Sequence, residues 1–207
     1  MKGVTIIDHP LVRHHLTRLR DARTRPQEFR RILGEVSALM VYEATRSFEV
    51  EAVVVKTPLT ATRGAKLRRE VILVPVLRAG LGMLEAILKL VPDAAVGFIG
   101  MKREEETLRA AVYYKSLPAD LGRHEIILID PMLATGGSAV AAMNLLRERN
   151  AVRARMVNLV AAPEGIGNFR AHHPLVPIFT AAVDRQLNAK GFIVPGLGDA
   201  GDRSFGV

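Results

Sequence analysis

Six short runs of nearly uninterrupted apolar residues divide the chain from residue 52 onward. They cover residues 52–55, 71–77, 95–101, 125–129, 156–161 and 176–183. A strand that is apolar at nearly every position is typical of a parallel sheet with both faces covered. Helical patterns at residues 80–91, 137–150 and 164–172 alternate with these runs. The alternation predicts an α/β fold of the doubly wound type, with a mostly parallel central sheet.

Two further helical patterns precede these runs, at residues 11–22 and 26–48. In the second, apolar residues such as Phe29 and Ile32 follow helical spacing and form one stripe. The chain has no internal repeat, flexible linker or low-complexity segment. We therefore expect residues 1–207 to form a single domain.

Composition restricts the classes of function. The chain has 207 residues and no cysteine, which excludes disulfide scaffolds, thiolate zinc sites, iron–sulfur clusters and cysteine nucleophiles. With 29 Lys and Arg against 21 Asp and Glu, the formal net charge of +8 favours anionic partners, although dispersed positive charge also serves solubility alone. No apolar stretch has the length of a signal peptide or a membrane span, so we expect a cytoplasmic protein without membrane contact.

The strongest local motif follows the apolar run 125–129. Asp130 stands at the end of this predicted strand, and a Thr-Gly-Gly-Ser turn at residues 135–138 leads into the next helix. Such a turn directs backbone N–H groups and hydroxyls at an anion over the helix N-terminus, and Asp130 is placed to accept hydrogen bonds from two sugar hydroxyls. The motif indicates a ribose-phosphate site, and an ordinary capped turn is the alternative.

Three other kinds of site do not fit the sequence. The chain has no Gly-x4-Gly-Lys-Ser/Thr motif, which excludes a P-loop. Residues 80–85 lack the third glycine of a dinucleotide fingerprint. Val140 stands where a serine-hydrolase elbow needs its second glycine.

Two basic segments follow other predicted strands. Arg78 comes directly after the run 71–77 and is followed by small residues, an arrangement suited to gripping a diphosphate. Residues 101–115 are densely charged, and we interpret them as a hairpin that closes over an anionic substrate with Arg103. A solvated arginine and a solvated loop are the alternatives.

Glycine is unusually dense at residues 191–203 near the carboxyl end. Glycines free backbone groups to contact a ligand directly. Asp199 and Asp202 in this segment have the carboxylates to help hold a hydrated Mg²⁺ that is bound to phosphate oxygens.

Together, residues 75–83, 130–138 and 191–203 resemble the uracil phosphoribosyltransferase family, a branch of the type I phosphoribosyltransferases. The resemblance extends over nearly the whole chain. It implies the type I phosphoribosyltransferase fold, an α/β fold with a mostly parallel sheet flanked by helices, N-terminal helices, a β-arm and a C-terminal base-binding loop. It also implies transfer of ribose 5-phosphate from 5-phosphoribosyl 1-diphosphate (PRPP) to N1 of uracil, which yields UMP and diphosphate in pyrimidine salvage with Mg²⁺ as cofactor.

The resemblance also implies roles for individual residues. Arg78, Arg103, Asp130 and Asp199 carry the catalytic roles, and Asp199 serves the metal indirectly through Mg-PRPP. Uracil is read by main chain at Ile193, Gly198, Asp199 and Ala200. The implied PRPP-binding residues are Arg78, Arg103, Asp130, Pro131, Met132, Leu133, Ala134, Thr135, Gly136, Gly137, Ser138 and Asp199.

Partners and two other functions stay open at this point. The resemblance implies a homo-oligomer of two or more chains, and it leaves activation by a GTP effector open without identifying residues for it. The high positive charge motivates an alternative, a regulator on the same scaffold that binds RNA. Aromatic residues make up only 5% of the chain and no basic stretch is interleaved with them, which disfavours nucleic-acid binding. A transferase that acts on another nucleobase is the nearer alternative.

Overall fold

The computed structural model describes residues 3–103 and 110–206, and at Arg103 and Ala110 it describes the backbone alone. The strands are β1 Val4–Ile6, β2 Val50–Lys56, β3 Ala61–Leu67, β4 Val71–Leu77, β5 Ala95–Val96, β6 Phe98–Arg103, β7 Ala110–Ser116, β8 Glu125–Ile129, β9 Met132–Leu133, β10 Ala154–Ala161, β11 Ile178–Val183, β12 Gln186–Leu187 and β13 Ile193–Val194. The helices are α1 Pro10–Arg20, α2 Pro26–Ala44, α3 Leu81–Leu90, α4 Gly137–Arg147, α5 Pro163–His172 and α6 Ala200–Phe205.

The main sheet has the strand order β1-β11-β10-β8-β4-β6-β7, with β5 beside β4 and β9 beside β10. All of these pairings are parallel except that of β6 with β7, so the predicted mostly parallel sheet is confirmed. The strands β4, β8 and β10 end at one edge of the sheet, where ligands bind in open α/β sheets. The loops after β4 and β8 are those that carry Arg78 and Asp130.

Two hydrophobic clusters cover the two faces of this sheet. Helices α1, α2 and α3 pack on the face that carries Leu73 and Ile127, and helices α4 and α5 pack on the face that carries Ile72 and Ile126. Neighbouring residues of one strand thus enter different clusters. This explains why β4 and β8 have no polar alternation: every position of β8 is buried.

One predicted strand forms, but its predicted place in the buried parallel sheet is wrong. The apolar run 52–55 belongs to β2, which lies outside the main sheet and forms an antiparallel hairpin with β3. Most residues of this hairpin are exposed, including Val54 at 78%. Strand β3, with the sequence Ala-Thr-Arg-Gly-Ala-Lys-Leu, has no apolar pattern that would have marked it, and its pairing with β2 carries both strands away from the core.

The hairpin interpretation of residues 101–115 is supported where the structure describes the chain. Strands β6 and β7 pair antiparallel from Phe98 opposite Ser116 to Arg103 opposite Ala110. Residues 104–109, on which the predicted closure depends, lie outside the described residues, as does the side chain of Arg103. Within the described part of the chain, no helix is both long and apolar enough to cross a membrane.

Candidate active site

Asp130 lies at the carboxyl end of β8, at the edge of the sheet that the sequence indicated. Its backbone N–H donates to the Val157 carbonyl at 3.2 Å, which continues the pairing with β10 by one residue. Its side-chain Oδ1 accepts a hydrogen bond from the Met132 N–H at 3.4 Å. The carboxyl group is therefore aimed by the strand itself and held by the turn that follows.

The turn from Asp130 into α4 is shaped by Gly136, which has a φ of 80° and stands at the N-cap position of that helix. A left-handed φ favours glycine, and a Cβ at this position would lie 2.8 Å from the Gly165 carbonyl oxygen. The backbone N–H groups at the start of α4 have no partner within the helix, which makes this helix end a candidate anion site.

Helix α5 supports this turn from outside. A Cβ at Gly165 would lie 2.3 Å from the Ala134 carbonyl oxygen, so only glycine allows the helix to approach the turn this closely. Asn168, one helical turn further, donates from Nδ2 to the Thr135 carbonyl at 2.8 Å. The turn is thus fixed on one side by β8 and on the other by α5.

The glycine-rich carboxyl segment contains two short elements. Strand β13 pairs antiparallel with β12, and Asp199 caps α6 by accepting a hydrogen bond from the Asp202 N–H at 2.9 Å. The predicted base-binding loop therefore ends in a helix. Gly196 has a φ of 62° between these elements, and its Cβ would lie 2.2 Å from the Ile193 carbonyl oxygen.

A bidentate ion pair fixes this segment to the first helix. Arg20 on α1 donates to both carboxylate oxygens of Asp184 at 2.8 and 2.6 Å, and also to the Gly196 carbonyl at 2.9 Å. The Gly196 N–H in turn donates to Asp184 at 2.8 Å. Asp184 is only 8% exposed, so its carboxylate is largely shielded from water.

Arg203 makes a second attachment. Its guanidinium donates to the carbonyls of Leu19, Asp21 and Leu197, the last at 2.8 Å, and stacks over the Phe29 ring at 4.5 Å from the centroid. These contacts hold the carboxyl segment against α1 and α2. The sequence interpretation did not assign Arg20, Asp184 or Arg203 a function, and no local pattern marks Arg20 or Asp184.

A cleft of about 380 Å³ separates the turn after β8 from the carboxyl segment. Its walls combine most of the residues implied for PRPP with Ile193 and Asp199 of the segment implied for uracil. Lys190, Gly191 and Phe192 also line it. The full set is Asp130, Met132, Leu133, Ala134, Thr135, Gly136, Gly137, Ser138, Ala139, Lys190, Gly191, Phe192, Ile193 and Asp199.

The carboxyl group of Asp130 is perturbed by its surroundings in the cleft. Burial raises the pKa of Asp130 to about 7, the hydrogen bond from the Met132 N–H opposes this rise, and the negative charge of Asp199 adds to it. A carboxyl group with a pKa near neutrality, beside a second carboxylate in a cleft, is typical of functional sites. The site is prepared for a ligand that brings hydroxyl donors or positive charge to Asp130.

The other predicted residues lie around the cleft. Arg78 is 65% exposed on its side chain, with one nitrogen 4.0 Å from an Asp202 oxygen, which places the loop after β4 against α6. A Cβ at Gly201 would lie 3.1 Å from Asp199 Oδ1 and 3.9 Å from the Ala79 Cβ, so this part of α6 also lies close to the loop after β4. Gly198 and Ala200 flank Asp199 in the chain without lining the cavity.

Pro131 has a different position from its neighbours in the motif. It is buried, and its carbonyl accepts hydrogen bonds from the Leu159 N–H at 2.9 Å and the Val160 N–H at 3.2 Å. Pro131 therefore fixes the motif to β10, whereas the residues from Met132 to Ser138 line the cleft.

The sequence interpretation did not include Lys190. Asn188 builds the turn that carries it, because Asn188 Oδ1 accepts from the Lys190 N–H at 2.9 Å and from the Phe192 N–H at 3.0 Å. A signal was present in the sequence, since an Asn-x-Lys-Gly turn directly precedes the glycine-rich segment.

The residues of this cleft fit a Mg²⁺ ion that is bound together with the phosphates of the substrate. Among the described residues no group of three or more His, Asp or Glu side chains could enclose a metal ion. Mg²⁺ keeps several waters and commonly binds through one or two carboxylates together with substrate phosphates. Asp199 provides carboxylate oxygens for this kind of Mg²⁺ binding, and Asp130 lies close enough for the charge of Asp199 to raise its pKa.

Comparison with known proteins gives a consistent result. The family described as uracil phosphoribosyltransferase matches residues 6–207 of this chain. The uracil phosphoribosyltransferase of Rhizobium etli is 52% identical over 208 residues, covering 100% of both chains. A solved structure of an Aquifex aeolicus protein superposes with a TM-score of 0.94 and 40% identity, covering 99% of this chain and 98% of that one.

A more distant structure shares the fold. Adenine phosphoribosyltransferase from Thermoanaerobacter pseudethanolicus superposes with a TM-score of 0.53 at 12% identity, over 76% of this chain and 84% of that one. At this identity the likeness concerns the arrangement of the sheet and its helices.

Proposed function

The chain belongs to the uracil phosphoribosyltransferase family, and on that premise we propose that its cleft transfers the 5-phosphoribosyl group of PRPP to N1 of uracil, giving UMP and diphosphate. One observation carries the proposal. A single cleft is lined both by the turn from Asp130 to Ser138 and by Ile193 and Asp199 of the carboxyl segment. A sugar phosphate on the first wall and a base on the second would lie side by side, which is the arrangement that the transfer needs.

The turn after β8 is suited to the ribose 5-phosphate part of PRPP. The N-terminus of α4 offers backbone N–H groups and the positive end of the helix dipole to the phosphate. Thr135 and Ser138 add hydroxyl groups beside them. Asp130, when ionised, accepts hydrogen bonds from the two ribose hydroxyls, and this contact offsets the burial that raises its pKa.

Departure of diphosphate leaves an oxocarbenium-like ribosyl centre, so catalysis requires neutralisation of charge on the leaving group. Arg78, at the end of β4 and exposed, can turn to the diphosphate. The resemblance assigns the same role to Arg103, whose side chain lies outside the described residues. With Mg²⁺ bound to PRPP, the chemistry supplied is further charge neutralisation on the diphosphate, with Asp199 as the residue that would hold the hydrated ion.

Main-chain groups of the carboxyl segment are suited to reading uracil. Amides and carbonyls around Ile193 and from Gly198 to Ala200 can match the donor and acceptor edge of the base. Cytosine carries an amino group where uracil has the O4 acceptor, so a backbone N–H that donates to O4 of uracil would face another donor. A buried polar group that is left without a partner strongly disfavours the wrong base. The attachments through Arg20 and Arg203 keep this backbone in a fixed position for that discrimination.

We also propose a homo-oligomer in the cytoplasm. The β2–β3 hairpin extends from the main sheet and exposes apolar side chains, with Leu59 exposed at 95%, which favours burial against another chain. A GTP effector stays a prediction, without residues assigned to it.

The test offers uracil, cytosine, hypoxanthine, adenine and orotate separately with PRPP and Mg²⁺. Diphosphate release is measured, and the nucleotide is identified by chromatography. We expect turnover with uracil and formation of UMP. Turnover with a different base alone would move the proposal to that base, and PRPP binding without turnover of any base would contradict an enzymatic role and favour the regulator.

A further inference from the structure

Lys190 lines the wall of the cleft that faces the turn after β8, in a position that the motifs did not mark. The other charged residues in the described lining are Asp130 and Asp199, so Lys190 is the source of positive charge among the described side chains of the cleft. PRPP and UMP both carry a 5′-phosphate, and a phosphate monoester has a charge of about −1.5 to −2 at neutral pH. The half charge of a helix N-terminus neutralises only part of it.

The side chain of Lys190 is available for such a role. Lys66 and Lys89 pair with Glu51 and Glu85 at 2.9 and 2.8 Å. Lys190, by contrast, is exposed and has no carboxylate within ion-pair distance in the described part of the chain. A free ammonium group on a flexible four-carbon stem can reach an anion bound nearby.

Helix α5 fixes the separation between Lys190 and the phosphate turn. Glu164 at its start accepts from the Leu187 N–H at 3.0 Å, which attaches the β12–β13 hairpin. The same helix contacts the turn through Gly165 and Asn168, whose Nδ2 donates to the Thr135 carbonyl at 2.8 Å. Both walls of the cleft are thus attached to one rigid element.

The Lys190 backbone is also fixed. The Asn188 side chain accepts from the N–H groups of Lys190 and Phe192, and the Gly191 N–H donates to the Asn188 carbonyl at 2.9 Å. A turn closed by three hydrogen bonds keeps the base of the lysine side chain at the cleft. Only the side chain then has to be ordered when the phosphate binds.

From this juxtaposition, and resting on the proposed function, we propose that Lys190 binds the 5′-phosphate of PRPP and UMP across the cleft from residues 135–138. The turn supplies neutral donors, and Lys190 supplies the full positive charge that the turn lacks. Lys190 is therefore a substrate-binding residue of the phosphoribosyl wall, separate from the residues that read the base.

Ribose 5-phosphate is the probe that tests this role, because it carries the phosphate without a base or a diphosphate. Its dissociation constant is measured by calorimetry for the wild type, Lys190→Ala, Lys190→Arg and Lys89→Ala. We expect Lys190→Ala to weaken binding by about tenfold or more, as for the loss of a charge-assisted hydrogen bond. Lys190→Arg should stay within about threefold of the wild type, because it keeps the positive charge.

Lys89→Ala is the matched control, since it removes one positive charge from the surface outside the cleft. Unchanged binding of ribose 5-phosphate by Lys190→Ala would overturn the inference, as would an equal loss in Lys89→Ala. The inference would also be overturned if Lys190→Ala raised only the KM for uracil, because Lys190 would then contact the base and not the phosphate. If the wild type turned over no base while Lys190→Ala still lost ribose 5-phosphate binding, the proposed function would fail and this inference would stand.

Discussion

Asp130→Asn should make the ligand-free protein more stable at alkaline pH while it impairs the use of PRPP. Burial raises the pKa of Asp130 from 3.8 to about 7 in the folded chain. The folded state therefore binds the proton more tightly than the unfolded state, and the free energy of unfolding falls as the pH rises between these two values. Asparagine keeps an oxygen that can accept from the Met132 N–H and has no charge to bury.

The size of the effect follows from the pKa shift. A rise of the Asp130 pKa from 3.8 to about 7 lowers the free energy of unfolding by at most about 4 kcal/mol at pH 8 and about 1.5 kcal/mol at pH 5. Because one side of the carboxyl group faces the open cleft, we expect about half of this, or about 2 kcal/mol at pH 8. For a chain of this length, that is a rise in Tm of about 4–8 °C.

The assay is thermal unfolding of the ligand-free wild type and Asp130→Asn at pH 8 and pH 5. Asp93→Asn provides the control, because Asp93 is an exposed aspartate away from the cleft. The stability gain of Asp130→Asn should shrink at pH 5, and the control should show no comparable change. A variant that is no more stable than the wild type at pH 8, or a gain that is equal at both pH values, would refute the reasoning.

Three further predictions concern catalysis and the shape of the cleft. Arg78→Ala should lower kcat by about 100-fold with a smaller change in KM for uracil, because it removes charge from the departing diphosphate; steady-state kinetics would contradict this if KM for uracil changed most. Gly165→Ala should lower the free energy of unfolding by about 2 kcal/mol and raise KM for PRPP, because its Cβ would collide with the Ala134 carbonyl. Gly167→Ala on the same helix is the control: its Cβ meets open space, and the variant should be slightly more stable than the wild type. The value of kcat/KM for PRPP should rise with pH to a plateau above about pH 7 as Asp130 ionises. If the pH profile of Asp130→Asn showed the same inflection, Asp130 would not be the group that causes it.

The central sheet and the phosphate turn could be predicted because their signals are local. The apolar runs 71–77 and 125–129 coincide with β4 and β8, since a strand buried on both faces is apolar at nearly every position. Asp130 and the Thr-Gly-Gly-Ser turn lie within one short segment, residues 130–138, so the motif can be recognised from neighbouring residues alone.

Other features depend on partners that are distant in the sequence. The run 52–55 resembles a buried strand, but it pairs with β3 in a hairpin outside the main sheet, and β3 has no apolar pattern that would indicate this. Arg20 and Asp184 are separated by 164 positions, so nothing in either neighbourhood indicates that they meet. The Asn-x-Lys-Gly sequence indicates a turn at Lys190, but the position of that turn at the cleft depends on the contacts of α5 with both walls.

The most direct test of the account is a crystal structure of the protein with UMP bound. We expect the phosphate at the N-terminus of α4 on the backbone of residues 135–138, the ribose hydroxyls on Asp130, and the uracil on the main chain around Ile193 and residues 198–200. UMP bound outside this cleft, or bound with its base on the Thr-Gly-Gly-Ser turn, would contradict the central claim that one wall holds the phosphoribosyl group and the other reads the base.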